Sequence, residues 1–252
     1  MTTTSLPARL GPTHQLLDST IRTNLDRLDI TPGQAVLEVG AGPGEITARL
    51  ATLVGPDGSV TAVDADTSHL APTNIIDIYR RDPNRDLLPG TTDSYDHTVA
   101  RWHGALRDPV DVVQQMIARL RPGGTLALAT ITPTPPRIYR APDAEDAHLI
   151  SDVMHHVRRA LVGPEGAGTW TGDIETLLLE SGMAGHCVHT DTETWTGGDP
   201  GCRLLADIVT HLRPTLTRLT DSDIDRFGAL MAEPGVLLAS YDRQFIHARK
   251  AA

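Results

Sequence analysis

Cysteine is nearly absent: Cys187 and Cys202 are the two thiols in 252 residues, so there is no disulfide framework and no CxxC metal pair. Aromatic residues are scarce as well, with three Trp, four Tyr and two Phe, which argues weakly against a broad stacking pocket. No stretch approaches the ~20 apolar residues of a membrane span. The opening Met1-Thr2-Thr3-Thr4-Ser5-Leu6-Pro7 lacks both the charged start and the apolar middle of a secretory signal. Positive charge is also short, with 22 Lys+Arg against 32 Asp+Glu and a net charge of -10. That balance repels a phosphate backbone at long range and disfavours a general nucleic-acid binder. The expectation is an acidic, cytoplasmic globular protein without a membrane or nucleic-acid partner. Its length is enough to bury roughly 70–75% of the surface its unfolded chain exposes.

What the chain does have is a regular alternation of patterns. Leu16, Leu17, Ile21, Leu25 and Leu28 recur at helical spacing over residues 13–29. Ala35–Val39 is a short apolar run of the kind buried on both faces of a parallel sheet. A helical pattern follows from Gly44 to Val54, then a Gly55-Pro56-Asp57-Gly58 turn and a second strand, Val60–Val63, ending at Asp64. Strand, glycine turn, helix, strand opens a βαβ unit. Asn74–Tyr79 is extended, and the nine residues before it are too few for a full crossover helix, so a short helical turn is predicted there. Tyr95–Ala100 and Thr125–Thr130 read as strands, with a helix over Val110–Leu120 stopped by Arg121-Pro122-Gly123-Gly124. Thr132–Pro136 reads as a rigid, extended loop. Further helices are predicted near 143–161, 172–181, 202–218 and 221–231, with extended segments near 185–193 and 240–249. The implied fold class is α/β: a Rossmann-like, doubly wound, mostly parallel sheet, to which the family likeness described below adds an antiparallel last strand and added helices as a lid.

Ligands of such sheets bind beyond the carboxyl ends of the strands, where strand order reverses. Glu38-Val39-Gly40-Ala41-Gly42-Pro43-Gly44 lies at one of those ends. Glycines at alternate positions let backbone approach a ligand and leave the next helix N-terminus facing it. A dinucleotide fingerprint would place a third glycine where Glu45 stands, and its negative charge disfavours a pyrophosphate. Asp64, 22 residues after Gly42, is placed to accept both hydroxyls of a ribose. Asp82 is a candidate acceptor for an exocyclic adenine amine, although Asp86 competes with it and Arg80, Arg81 and Arg85 offer either one an ion pair. Glu38 suits an ammonium group. S-adenosylmethionine combines a ribose, an adenine, an ammonium and a sulfonium, and it carries no phosphate.

Taken in order, Val36–Gly44, Val63-Asp64, Arg81-Asp82, Tyr95-Asp96 through Ala100-Arg101, and Leu120–Gly124 resemble the ordered motifs of class I S-adenosylmethionine-dependent methyltransferases. The resemblance covers residues 33–131. Thr13–Gly33 is similar to the family's leading helix and Trp170–Gly182 to a later one. Residues 194–249 look like the helical insertion and final antiparallel strand of actinobacterial-type small-molecule members. The resemblance implies that Gly40, Ala41, Gly42 and Gly44 line the methionine and ribose part of the cofactor, with Glu38 beneath. It implies that Asp64 holds the ribose and that Ala65, Asp82 and Pro83 border the adenine. Ala100, Arg101 and Trp102 would then sit near the methionine end. A single domain over 1–252 is implied: a lid at 1–30, a cofactor-binding core at 31–135, and the rest of the sheet at 136–252 with an acceptor-binding insertion at 196–235.

His103, just past the fourth strand, and His14, on the leading helix, are the candidate general bases, since imidazole titrates near neutrality. Tyr139, His148 and Trp170 are candidates for the acceptor pocket, against a plain packing role. No metal is expected: His155 and His156 cannot point one way on a helix, and Cys187 is read as facing away from His189. The resulting expectation is methyl transfer to a small molecule, most simply at oxygen. Alternatives are another reaction with the same cofactor, such as cyclisation or decarboxylation, and a non-catalytic partner subunit. A nicotinamide dehydrogenase is suggested by the fold alone and disfavoured by Glu45. Oligomeric state stays open, with a homodimer among the options.

Overall fold

The computed structural model describes residues 20–102, 106, 108–132, 134, 137–162 and 170–252. Its centre is a seven-stranded sheet in the order β3-β2-β1-β4-β5-β10-β7. The strands are β1 (Ala35–Val39), β2 (Ser59–Asp64), β3 (Ile76–Arg80), β4 (Tyr95–Trp102), β5 (Leu120–Ile131), β7 (Met183–Asp191) and β10 (Arg243–Lys250). β1 to β5 run parallel, and β10 lies antiparallel between β5 and β7. Chain direction reverses its march across the sheet between β1 and β4, which places the strand-end crevice at residues 39–44 and 100–102.

Strand alternation sorts side chains into two layers. Val36, Val60, Val99, Ala127, Ala129 and Phe245 point to one face, where they meet Ile21 and Leu25 of α1 (described over 20–25) and Ile46, Leu50 and Val54 of α2 (Glu45–Val54). Leu37, Val39, Val63, Leu126, Leu128 and Ile246 point to the other, against α3 (Pro109–Arg119) and α5 (Trp170–Glu180). Mostly apolar runs in β1 and β2, broken only by Glu38 in the first and by Thr61 within the second, are the consequence of this double coverage.

A second core lies outside the sheet. α4 (Ala144–Val162), α6 (Pro200–Leu212) and α7 (Asp221–Met231) pack around Met154, Ile208, Phe227 and Leu230. A small antiparallel sheet, β6 (Ile138–Arg140), β9 (Leu237–Ala239) and β8 (Thr194–Thr196), closes this core. The buried Tyr241 hydroxyl donates to the Met154 carbonyl at 2.9 Å and fastens the helical layer to the approach of β10.

Several expectations are corrected. Residues 65–73 hold no helical turn; a single β-turn closes there, with Leu70 N–H donating to the Thr67 carbonyl at 3.1 Å. Pro72 and the short span leave no room for a hydrogen-bonded helix before β3. Arg121–Gly124 is not only a helix stop but the start of β5, which begins at Leu120. The helix expected over 202–218 is α6 ending at Leu212, followed by a 3-10 turn over Arg213–Thr215 that contains Pro214. The three-stranded sheet was not foreseen, because its strands are three residues long and carry no readable period. Cys187 and His189 do not face apart: residues two apart on a strand share a face, and Cys187 Sγ lies 3.4 Å from His189 Nε2.

Candidate active site

The glycine-rich turn leaves β1 and enters α2 with Gly40, Gly42 and Gly44 all at positive φ. Two of these positions are crowded as well, the first by rigid backbone and the second by a side-chain end that can shift. A Cβ on Gly40 would meet the Arg101 carbonyl oxygen at 2.9 Å, and one on Gly44 would meet Leu70 Cδ2 at 2.7 Å. The turn is preformed by its own bonds. Gly40 and Ala41 N–H groups donate to the Val63 carbonyl at 2.9 and 3.1 Å, and Gly42 N–H donates to Asp64 Oδ2 at 2.8 Å. The buried Arg101 reaches back from β4 and donates from Nη2 to the Ala41 carbonyl at 3.0 Å. Burial of that guanidinium lowers its pKa to about 10, so it stays charged at neutral pH.

Asp64 ends β2 and is only half buried. Its two oxygens each accept one backbone N–H, from Gly42 and, at 3.0 Å, from Asp66. A carboxylate has about four lone-pair sites, so capacity for two hydroxyl donors remains. Glu38 lies beneath the turn at 2% exposure and accepts from Thr47 Oγ1 at 2.6 Å. Burial raises its pKa from 4.5 to about 8, the Thr47 hydrogen bond pulls the other way, and the nearby Asp64 charge adds to the rise. Glu38 is therefore largely protonated in the ligand-free protein at neutral pH.

The structure thus joins Gly40, Ala41, Gly42, Gly44, Asp64 and Arg101 through hydrogen bonds, with Glu38 beneath them, held by Thr47 and within reach of the Asp64 charge. Ala100, buried on β4, pairs directly with Val39 and belongs to the same crevice. Ala65 is exposed at the end of β2, and its carbonyl accepts from Arg80 Nε at 3.1 Å. Asp82 opens a turn: its Oδ1 accepts from Asn84 N–H at 2.9 Å, its Oδ2 stands 3.5 Å from Arg85 Nε, and Pro83 follows half buried. The local ion pair weighed from sequence is present there. Trp102 ends β4. His14 and His103 lie outside the described residues.

Three contributors were not singled out from the sequence. Thr47 sits nine positions after Glu38 on the inner side of α2, beside Ile46 and Leu50, and that periodicity was a usable signal. His69 and Leu70 fold over the turn, His69 Nε2 against the Gly42 carbonyl and Leu70 against Gly44. Only the shortness of 65–73 hinted at this.

The donor set suits a nucleoside better than a diphosphate. The turn's N–H groups at 40, 41 and 42 are already committed to Val63 and Asp64, and Glu45 occupies the first turn of α2. What is left to offer is carboxylate and close backbone. Residues 36–124 match the family described as a methyltransferase domain. The matched stretch holds Glu38, the glycine turn, Asp64 and Arg101. Curated relatives match over a wider span. The ubiquinone/menaquinone biosynthesis C-methyltransferase of Hahella chejuensis is 29% identical over 132 residues, 48% of this chain and 53% of its own. A ubiquinone biosynthesis O-methyltransferase of Xanthomonas campestris is 28% identical over 163 residues, 60% of this chain and 66% of its own. The chain thus spans between half and two thirds of the length of these relatives. The solved BH2331 protein of Bacillus halodurans C-125 superposes with a TM-score of 0.57 at 15% identity, covering 93% of this chain and all of that one. This likeness is one of fold. Among the described residues no helix is long and apolar enough to cross a membrane.

Proposed function

We propose that the protein transfers the methyl group of S-adenosylmethionine to a small-molecule acceptor, most simply at oxygen. The observation that carries this reading is the coupling of Asp64 to the glycine turn through the Gly42 N–H, a carboxylate held at a phosphate-poor strand end. When bound, the cofactor supplies an electrophilic methyl group on a positively charged sulfur. The chain's own residues do the rest by placement. Asp64 accepts the ribose hydroxyls, and Gly40, Ala41, Gly42 and Gly44 give close backbone approach. Ala65, Asp82 and Pro83 border the adenine. Ala100, Arg101 and Trp102 border the methionine end, with Arg101 fixing the turn through the Ala41 carbonyl. Glu38 gives up its proton as a cationic ligand approaches and then balances that charge. Catalysis consists mainly of holding the acceptor atom ~3–3.5 Å from the methyl carbon. His103 and His14 are the proposed bases for a hydroxyl acceptor.

The helical layer of α4, α6 and α7, with residues 1–30, is the proposed lid and acceptor wall of a single domain. The kinship with actinobacterial small-molecule enzymes, a cytoplasmic setting and a homodimer belong to the same proposal. Because the relatives are named for ubiquinone and menaquinone biosynthesis, at carbon and at oxygen, hydroxylated rings lead the acceptor panel.

The test is calorimetric titration with S-adenosylhomocysteine. Asp64→Ala is expected to weaken binding by about 1.5–3 kcal/mol, roughly 10- to 150-fold. A ribose-deoxygenated analogue should bind the wild type more weakly and the variant no differently, which separates a direct contact from a distorted turn. Equal discrimination by both proteins overturns the assignment. Acceptor turnover is read as a product mass gain of one CH₂.

A further inference from the structure

Far from this crevice, the last two strands bring three potential metal ligands together. His247 of β10 pairs directly with Cys187 of β7, and His189 pairs with Phe245 two residues along, so all three side chains stand on one face. Cys187 Sγ and His189 Nε2 are 3.4 Å apart, and one donor atom from each of the three residues lies within 4.8 Å of the others. The His189 and His247 rings are 5.9 Å apart between centroids. We propose that Cys187, His189 and His247 form a binding site for a thiophilic divalent cation of the Zn²⁺ class, clipping the edge strand β7 to β10.

Four features support the site. The ligand set is one sulfur and two imidazoles, which suits zinc and leaves a fourth position for water. Zinc–sulfur and zinc–nitrogen bonds of about 2.3 and 2.0–2.1 Å put tetrahedral ligands roughly 3.3–3.7 Å apart. The Cys187–His189 pair is already at that spacing, and a small rotation of the partly exposed side chains brings in His247. His247 Nδ1 is buried with no hydrogen-bond partner among the described residues, an orphan that buried polar groups rarely tolerate. Beside the site the β7–β10 register slips between His247 and Arg249, and Gly185 takes a positive φ. Such bulges re-aim side chains next to binding sites. β10 and β7 lie beyond β4 and β5 from β1, roughly 14 and 19 Å from it at about 4.8 Å per strand, so the ion would secure the sheet edge and take no part in methyl transfer.

The test uses the full-length reduced protein titrated with Co²⁺ and then Zn²⁺. One equivalent of Co²⁺ is expected to raise thiolate-to-cobalt charge-transfer absorption, and Zn²⁺ should erase it. Cys187→Ser should abolish the band, whereas Cys202→Ser, altering the buried thiol of α6, should leave it intact. His189→Gln and His247→Gln should each weaken affinity at least tenfold, with circular dichroism confirming the fold. Should His247→Gln not fold, His189→Gln on the edge strand carries the same test. No charge-transfer band, or a band that survives Cys187→Ser, overturns the site.

Discussion

Replacing Glu38 by Gln isolates one buried proton. The Glu38 pKa is 4.5 when ordinary and about 8 in the fold, because burial and the Asp64 charge disfavour its ionised form. Between those values the folded protein holds a proton that the unfolded chain has lost. The contribution of Glu38 to stability is therefore complete below about pH 4.5 and is lost as the pH rises towards 8. At about 1.4 kcal/mol per pH unit, the whole interval is worth on the order of 5 kcal/mol. Glu38→Gln keeps a carbonyl oxygen for the Thr47 hydroxyl and cannot ionise. Its melting temperature relative to wild type should climb with pH by about 3–5 °C per unit, at roughly 2–4 °C per kcal/mol for a chain of this size. The gain should level off above pH 8. Differential scanning fluorimetry of both proteins without cofactor, at matched ionic strength from pH 5 to 9, reads the difference directly and cancels every other titrating group. A flat difference curve would refute the raised pKa, and with it the idea that the crevice stores a proton until a cation arrives. Cofactor binding should correspondingly release a proton near pH 7, seen as a buffer-dependent enthalpy.

Other perturbations follow from the same contacts. Gly40→Ala forces a left-handed residue and a Cβ 2.9 Å from the Arg101 carbonyl, so melting should fall by several degrees and cofactor titration should lose its signal. A normal binding isotherm would contradict the close approach. Tyr241→Phe removes the hydroxyl bonded to the Met154 carbonyl and should cost about 1–3 kcal/mol in urea unfolding with an unchanged m-value. Thr220→Ala deletes the capping box of α7, in which Thr220 Oγ1 accepts from Asp223 N–H at 3.1 Å, and should cost ~1 kcal/mol by the same assay.

Much of the sheet could be read from residues alone because its central strands are buried on both sides and leave mostly apolar runs. β1 and β2 are the clear cases, and the glycines between them mark the turn by their spacing. The antiparallel entry of β10 came from family likeness, since nothing in Arg243–Lys250 states a direction. At the site, Glu38, Asp64 and the glycines were legible because strand ends dictate their position. Thr47 and His69 were not, for a contact between residues 9 or 27 positions apart depends on how helix and loop fold back. The pairing of Cys187 with His189 was within reach of period-two geometry and was misjudged. Its meeting with His247 required knowing that β7 and β10 are neighbours.

The missing helix between β2 and β3 has a consequence for how the molecule breathes. β3 is the outermost strand on that side and none of its five residues is fully buried, whereas four of five in β1 are. With thinner insulation, its backbone amides should trade hydrogen for deuterium soonest, and protection should build inward towards β1 and β4. The β3 side of the crevice, proposed to border the adenine, would then be the first part of the sheet to loosen, leaving the carboxylate of Asp64 on the boundary between a yielding margin and a rigid interior.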